Sequence, residues 1–179
     1  KTKKTSMTQL EFGQLPLLED THFHVVQTQA ITRHLARKYQ LYGKNENEQI
    51  RCDIIQEAYV EGVEDYVKAV YSPEFLAQKD SYIDLLEKFL AKLEKYYLKN
   101  DHADHWVGSH VSFVDYLMWH YLDMIRALSE ETLAKYGSIY SFYKKFAQRP
   151  NVAAYLKSDA RPHVFNAPFA ATGNTVETS

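Results

Sequence analysis

The stretch Phe12-Gly13-Gln14-Leu15-Pro16-Leu17-Leu18-Glu19-Asp20 limits what this chain can fold into more than any other. Proline donates no backbone hydrogen bond, so Pro16 cannot sit inside an ordinary central strand; an X-Pro bond in an apolar extended run marks a bend where backbone is exposed. Leu15–Asp20 and Phe23–Val26 therefore read as two strands of a hairpin whose first strand enters from that bend. The polar pair Gln27 and Thr28 then opens a helical pattern in which Ala30, Ile31, Leu35 and Tyr39 recur near helical spacing. The first turn of a helix carries N–H groups without intrahelical partners. With a hydroxyl and an amide beside them, they predict an anion site.

With 179 residues, 45% of them hydrophobic and 25% charged, the chain can bury one substantial core or two small ones. Its net charge of -2, with acids and bases interspersed, gives no nucleic-acid footprint. No apolar run is long enough to span a bilayer, and no signal-peptide pattern is present. A single cysteine, Cys52, excludes an internal disulfide and suits a reducing cytoplasm, with a small buried helix residue as its expected role.

From Tyr42-Gly43-Lys44 onward the pattern predicts helix to the end of the chain. Gly43 is a helix stop, and Gln49 to Val70 carries apolar residues mixed with acids. Ser72-Pro73-Glu74 restarts a helix, with Ser72 as N-cap and Pro73 at the first helical position. Leu86, Phe89, Leu90, Leu93 and Tyr97 follow at three- and four-residue steps, a stripe that belongs to the core. In Val111-Ser112-Phe113-Val114-Asp115-Tyr116, Ser112 and Asp115 predict a capping box, with Val111 and Tyr116 at the hydrophobic-staple positions. The role expected of Ser112 and Asp115 is structural.

FGQLPLLED followed by QTQAITRHLARKYQLYGK resembles the glutathione site of cytosolic glutathione transferases, of the alpha, mu, pi or sigma type and mu- or pi-like. Ser112-x-x-Asp115 resembles the start of that family's buried helix. The resemblance implies an α+β fold. Residues 1–43 would be the C-terminal part of a thioredoxin-like domain, a β-hairpin plus helix that binds glutathione, and residues 45–179 an all-α C-terminal domain. The strand-helix-strand that precedes this point in the family is not in the sequence, so the chain reads as a fragment, or as a truncation that pairs its bare sheet edge with something else.

The resemblance also assigns residues. A cis Pro16 would leave Leu15 to pair its N–H and C=O with the cysteinyl part of glutathione, with Gln14 as a side-chain contact. Gln27 and Thr28 would hold the γ-glutamyl carboxylate, Thr28 standing where serine is usual. Lys4 or Lys3 would meet the glycine carboxylate. The acid that reaches into the neighbouring subunit's site falls on Glu61, with Asp65 in Gly62-Val63-Glu64-Asp65 as the alternative one turn on. Tyr71 would stand beside the electrophile, Phe165 and Phe169 would be possible walls of its pocket, and Phe12 would anchor a homodimer by plugging a pocket between helices of the partner.

The chemistry implied is thiol activation. A free thiol with a pKa of about 8.5 is only a few per cent ionised at neutral pH, and lowering it by two units takes roughly 2.7 kcal/mol of preferential stabilisation of the thiolate. In the family's tyrosine-type classes a hydroxyl upstream of these residues supplies it, so the catalytic residue is not named here. The implied function is conjugation of glutathione to small apolar electrophiles, a detoxification reaction; the alternative is a non-catalytic protein of the same fold in a structural or docking role. The histidines, His22 and His24 at the hairpin and His102, His105 and His110 in a polar loop, lack ligand spacing, so no metal is expected. Partners are glutathione, small electrophiles and a second copy, without nucleic acid or membrane.

Overall fold

The computed structural model describes residues 10–19, 23–101, 104–162, 164–167 and 170–171. Among them lie a two-stranded sheet and six helices. Strands β1 (Leu17–Glu19) and β2 (His24–Val26) pair antiparallel in the register Leu17 to Val26 and Glu19 to His24. Helices follow at α1 (Thr28–Lys38), α2 (Glu46–Val70), α3 (Phe75–Tyr97), α4 (Phe113–Ala134), α5 (Gly137–Ala147) and α6 (Pro150–Leu156). A small hairpin plus helix leading into a helical body is the α+β class expected from the sequence.

Helix α4 is the centre. Val114, Met118, Leu122 and Ile125 are wholly buried, and α1, α2, α3 and α5 all pack against this helix. A helix apolar on most of its circumference has to be wrapped by others. Around it Trp106 meets the Tyr97 ring edge-on at 5.0 Å and Phe142 at 5.9 Å, so the loop before α4 also closes the core. Burying such a ring contributes roughly 1.5–3 kcal/mol. Near its end α4 bends at Ser129, which has extended φ and ψ. Ser129 Oγ accepts the Thr132 N–H at 3.3 Å and donates to Thr132 Oγ1 at 2.8 Å, recapping the last turn.

Three local expectations change. The first strand begins at Leu17, because Pro16 has no N–H for the ladder and the Leu15–Pro16 bond is cis. Helix α3 begins at Phe75, not Pro73: Ser72 Oγ accepts the Glu74 N–H at 3.2 Å and its carbonyl accepts Phe75 N–H at 3.1 Å, which closes a turn before the helix. Helix does not run to the end of the chain. Past Leu156 the described residues form turns and irregular chain, and Pro162 there has no N–H for a helical ladder. Side chains of earlier helices hold that segment instead. Asn166 Nδ2 donates to the Tyr66 hydroxyl at 2.9 Å, Ala167 N–H to the Tyr71 hydroxyl at 2.9 Å, and Ala171 N–H to the Val70 carbonyl at 2.9 Å.

Helices α2 and α4 approach closely at Gly62. A Cβ there would stand 2.8 Å from Tyr121 Cζ and 2.9 Å from Phe89 Cε1, both rings locked in an edge-on pair. Gly62→Ala should therefore destabilise the protein by about 1–3 kcal/mol despite alanine's better helix propensity. Urea denaturation monitored by circular dichroism measures the loss; an unchanged or raised midpoint would show that the rings yield freely.

Candidate functional site

The bend and the start of α1 lie side by side. Extending the register Leu17 to Val26 by one step sets Pro16 opposite Gln27. Leu15 is 74% exposed, so its backbone faces solvent beside that start. Gln14, Pro16, Gln27 and Thr28 are exposed as well. Gln27 has φ 70 and ψ 115, a region that non-glycine residues rarely occupy, and it makes no side-chain cap to α1. The Ile31 N–H bonds the Gln27 carbonyl at 2.9 Å. The N–H groups of Thr28, Gln29 and Ala30 meet no acceptor among the described residues.

The starts of α2, α4 and α5 and the turn before α3 each receive a side chain. Asn45 Oδ1 accepts the Glu48 N–H at 3.0 Å for α2, Ser72 serves the turn before α3, and Glu94 Oε1 reaches the Ser138 N–H at 2.7 Å for α5. Helix α6 begins with Pro150, which has no N–H to satisfy. At α4 the Ser112–Asp115 capping box is present. The wholly buried Asp115 accepts Ser112 N–H at 2.7 Å and Ser112 Oγ–H at 2.9 Å on Oδ2, and Trp106 N–H at 2.8 Å on Oδ1. An open helix start with its positive dipole end, next to a strained glutamine and exposed backbone, can hold a carboxylate and an extended peptide together.

Helix α1 meets the first half of α2: Thr32 takes Gln56 Nε2 at 3.1 Å, and the Tyr42 hydroxyl, past the end of α1, donates to Asp53 at 2.6 Å. Tyr71 is half-buried, with its oxygen accepting the Ala167 N–H. Between α2 and α3 lies a groove of about 570 Å³ whose lining includes Gly62, Asp65, Ala69, Phe75, Tyr82 and Phe89. Asp65 forms part of its wall; Glu61 is exposed outside it. Phe12 stands 65% exposed near the bend. Lys3, Lys4 and Phe169 lie outside the described residues.

A family model for the glutathione S-transferase C-terminal domain matches residues 54–159. A glutathione S-transferase of Dirofilaria immitis is 33% identical over 150 residues, covering 83% of this chain and 72% of the relative. Glutathione S-transferase 2 of Onchocerca volvulus is 36% identical over 160 residues, covering 86% and 74%. The chain belongs to the glutathione S-transferase family. The solved structure of an Onchocerca volvulus pi-class glutathione S-transferase superposes with a TM-score of 0.84 at 33% identity, over 91% of this chain and 79% of that one. Mu-class transferases are among the relatives too.

Two features of this transferase escape a reading by local spacing. Arg33 on α1 bridges to α2 through Asp53 at 3.0 Å and Glu57 at 2.7 Å. The tail anchors Tyr66–Asn166 and Tyr71–Ala167 join residues far apart in sequence. Only the acidic crowding of α2 hints at the first, and no sequence signal marks the second.

Burial pushes the Asp115 carboxyl up from 3.8 to about 6, against the pull of the Trp106 and Ser112 donors and the Arg149 charge. Between pH 4 and 6 the folded protein then holds a proton that the unfolded chain has released. This group's contribution is present in full below the unfolded pKa and is lost as pH rises through about 6. Asp115→Asn should flatten stability across that window, as read from denaturation midpoints at each pH. Asp115→Ala strands buried donors and should cost about 3 kcal/mol, above the ~1 kcal/mol of an exposed cap; a loss no larger than an ordinary cap would show that water replaces the carboxylate.

Proposed function

We propose that this chain binds glutathione at the open start of α1 and, as part of a glutathione transferase, presents its thiolate to small apolar electrophiles. The observation that carries the reading is the juxtaposition of cis Leu15–Pro16, the positive-φ Gln27 and the uncapped N-terminus of α1. In a chain of this family it supports Leu15 as the backbone partner of the cysteinyl unit, with Gln27 and Thr28 on the γ-glutamyl carboxylate. Gln14 is a side-chain contact and Lys4 the partner of the glycine carboxylate. Residues 1–43 form the glutathione-binding unit and residues 45–179 the helical one. Tyr71 faces the electrophile, placed by the tail that holds its hydroxyl. The chain works in the cytoplasm and without a metal.

The same reading makes the protein a homodimer, with Phe12 of one copy seated in the groove between α2 and α3 of the other. An exposed ring and an apolar groove of about 570 Å³ on one chain complement each other. Asp65, on the groove wall, is better placed than Glu61 to reach across into the partner's glutathione site. Phe12→Ala should shift the monomer–dimer equilibrium toward monomer, as seen by analytical ultracentrifugation; an unchanged dissociation constant would remove Phe12 from the interface.

These 179 residues by themselves should not conjugate glutathione. The resemblance places the thiolate-holding hydroxyl upstream, so the residues here supply binding without the group that activates the thiol. Turnover of a chromogenic aryl halide by the purified chain would overturn this and make Tyr71 the first suspect.

Gln27→Gly tests the site itself. Glycine tolerates φ 70, so the variant should be more stable by about 1 kcal/mol, yet lose retention on immobilised glutathione with the amide gone. Undiminished retention would move the γ-glutamyl site elsewhere.

A further inference from the structure

Helix α2 grips the first turns of α1 through three neighbouring side chains. Asp53 and Glu57 hold Arg33 at 3.0 and 2.7 Å, in ion pairs that solvent reaches. Between them in sequence stands Gln56, which is wholly buried and takes no part in either pair. Its Nε2 donates to Thr32 Oγ1 at 3.1 Å, and Thr32 Oγ1 donates in turn to the Gln29 carbonyl at 3.1 Å. Its Oε1 is buried too and meets no donor among the described residues. The Gln56 amide thus works through its nitrogen alone, and that nitrogen leads to the opening turn of α1.

The carbonyl at the end of this relay belongs to the same peptide unit as the Ala30 N–H. Ala30 is the third residue of α1, and an acceptor seated at a helix start meets the second or third N–H. A threonine hydroxyl inside a helix can bond either the carbonyl three residues back or the one four residues back. With Gln56 donating to its oxygen, the Thr32 hydroxyl has its proton to give, and it gives it to Gln29, not to Thr28. A donor at one end of a peptide unit polarises the N–H at the other, the more so when a second, buried hydrogen bond feeds it. The choice of carbonyl therefore decides which open N–H of α1 is strengthened. We propose that Gln56 is a positioning residue of the glutathione site, holding the Thr32 hydroxyl on Gln29 so that the Ala30 N–H is fixed and polarised for the γ-glutamyl carboxylate. The inference rests on the glutathione reading given above. It adds a residue of α2 that touches no ligand and sets affinity at the open end of α1 through Thr32.

Glutathione titrated into the purified chain tests both readings, through its dissociation constant and through the amide resonance of Ala30. In the unaltered chain glutathione should shift that resonance saturably. Thr32→Val and Gln56→Met keep the shape of each side chain and remove the relay. Each should displace the Ala30 resonance in the ligand-free chain and weaken glutathione roughly threefold, the worth of polarising one charge-assisted hydrogen bond. Thr32→Ser keeps the hydroxyl and should behave as the unaltered chain. The double variant should bind no worse than Thr32→Val alone, because the two residues act in series, whereas independent packing losses would multiply. Circular dichroism checks that each variant is folded; should Gln56→Met fail there, Thr32→Val against Thr32→Ser decides. An Ala30 resonance that ignores glutathione overturns the glutathione reading and this inference with it. Unchanged affinity in folded Thr32→Val, or lowered affinity with the ligand-free Ala30 resonance in place, would overturn this inference alone.

Discussion

The rest of this fold depends on how the head of its central helix is closed. Helix α4 starts inside the protein, where water cannot reach its first N–H groups, and an unmet buried donor costs about 1–3 kcal/mol. The Phe113 N–H goes to the Leu41 carbonyl at 2.9 Å and the Asp115 N–H to the Ser112 side chain, while the Asp115 carboxylate turns back on the Ser112 N–H and takes the Trp106 N–H from the preceding loop. One side chain thus fixes a helix start and the loop that carries Trp106 into the ring cluster with Tyr97 and Phe142. Other helices can wrap α4 only because its position is set this firmly. The cost is a buried acid held against its preference to be neutral, reflected in its raised pKa.

Much of this was written locally. Leu-Pro in an apolar run marks a bend, and the polar pair before an apolar stripe marks a helix start, because both depend on neighbours in sequence. The Ser-x-x-Asp cap was legible for the same reason, although its third partner, Trp106, was not. What stayed hidden needs tertiary placement. The Arg33 bridge to Asp53 and Glu57 and the Asp123–Arg161 pair follow no periodicity, and hydrogen bonds from the tail to Tyr66 and Tyr71 span most of a domain's length. The expectation of helix to the end failed for a related reason: a segment that owes its shape to remote anchors shows no stripe of its own.

The described residues of the tail form a strap without helix or strand, held at Asp123, Tyr66, Tyr71 and Val70. Such a segment can be redrawn by a few substitutions without disturbing the helices beneath it, because its own backbone carries none of the core. Tyr71 belongs to both regimes, with its backbone ending a long helix and its hydroxyl tied to the strap.

The helix starts differ in how they are closed. Asparagine serves the start of α2, the serine–aspartate box that of α4 and a glutamate that of α5, so the fold has the means to close such ends. At α1 the equivalent position is Gln27, held at a φ that costs of order 1–3 kcal/mol and contributing no cap. A glycine or aspartate there would relieve the strain or satisfy the helix. A residue that does neither lowers stability and leaves the exposed N–H groups and the glutamine amide open to solvent or to the glutathione proposed above. Exposed backbone at Leu15, one step along the same register, supplies the rest of a surface shaped for an extended peptide with a carboxylate at one end.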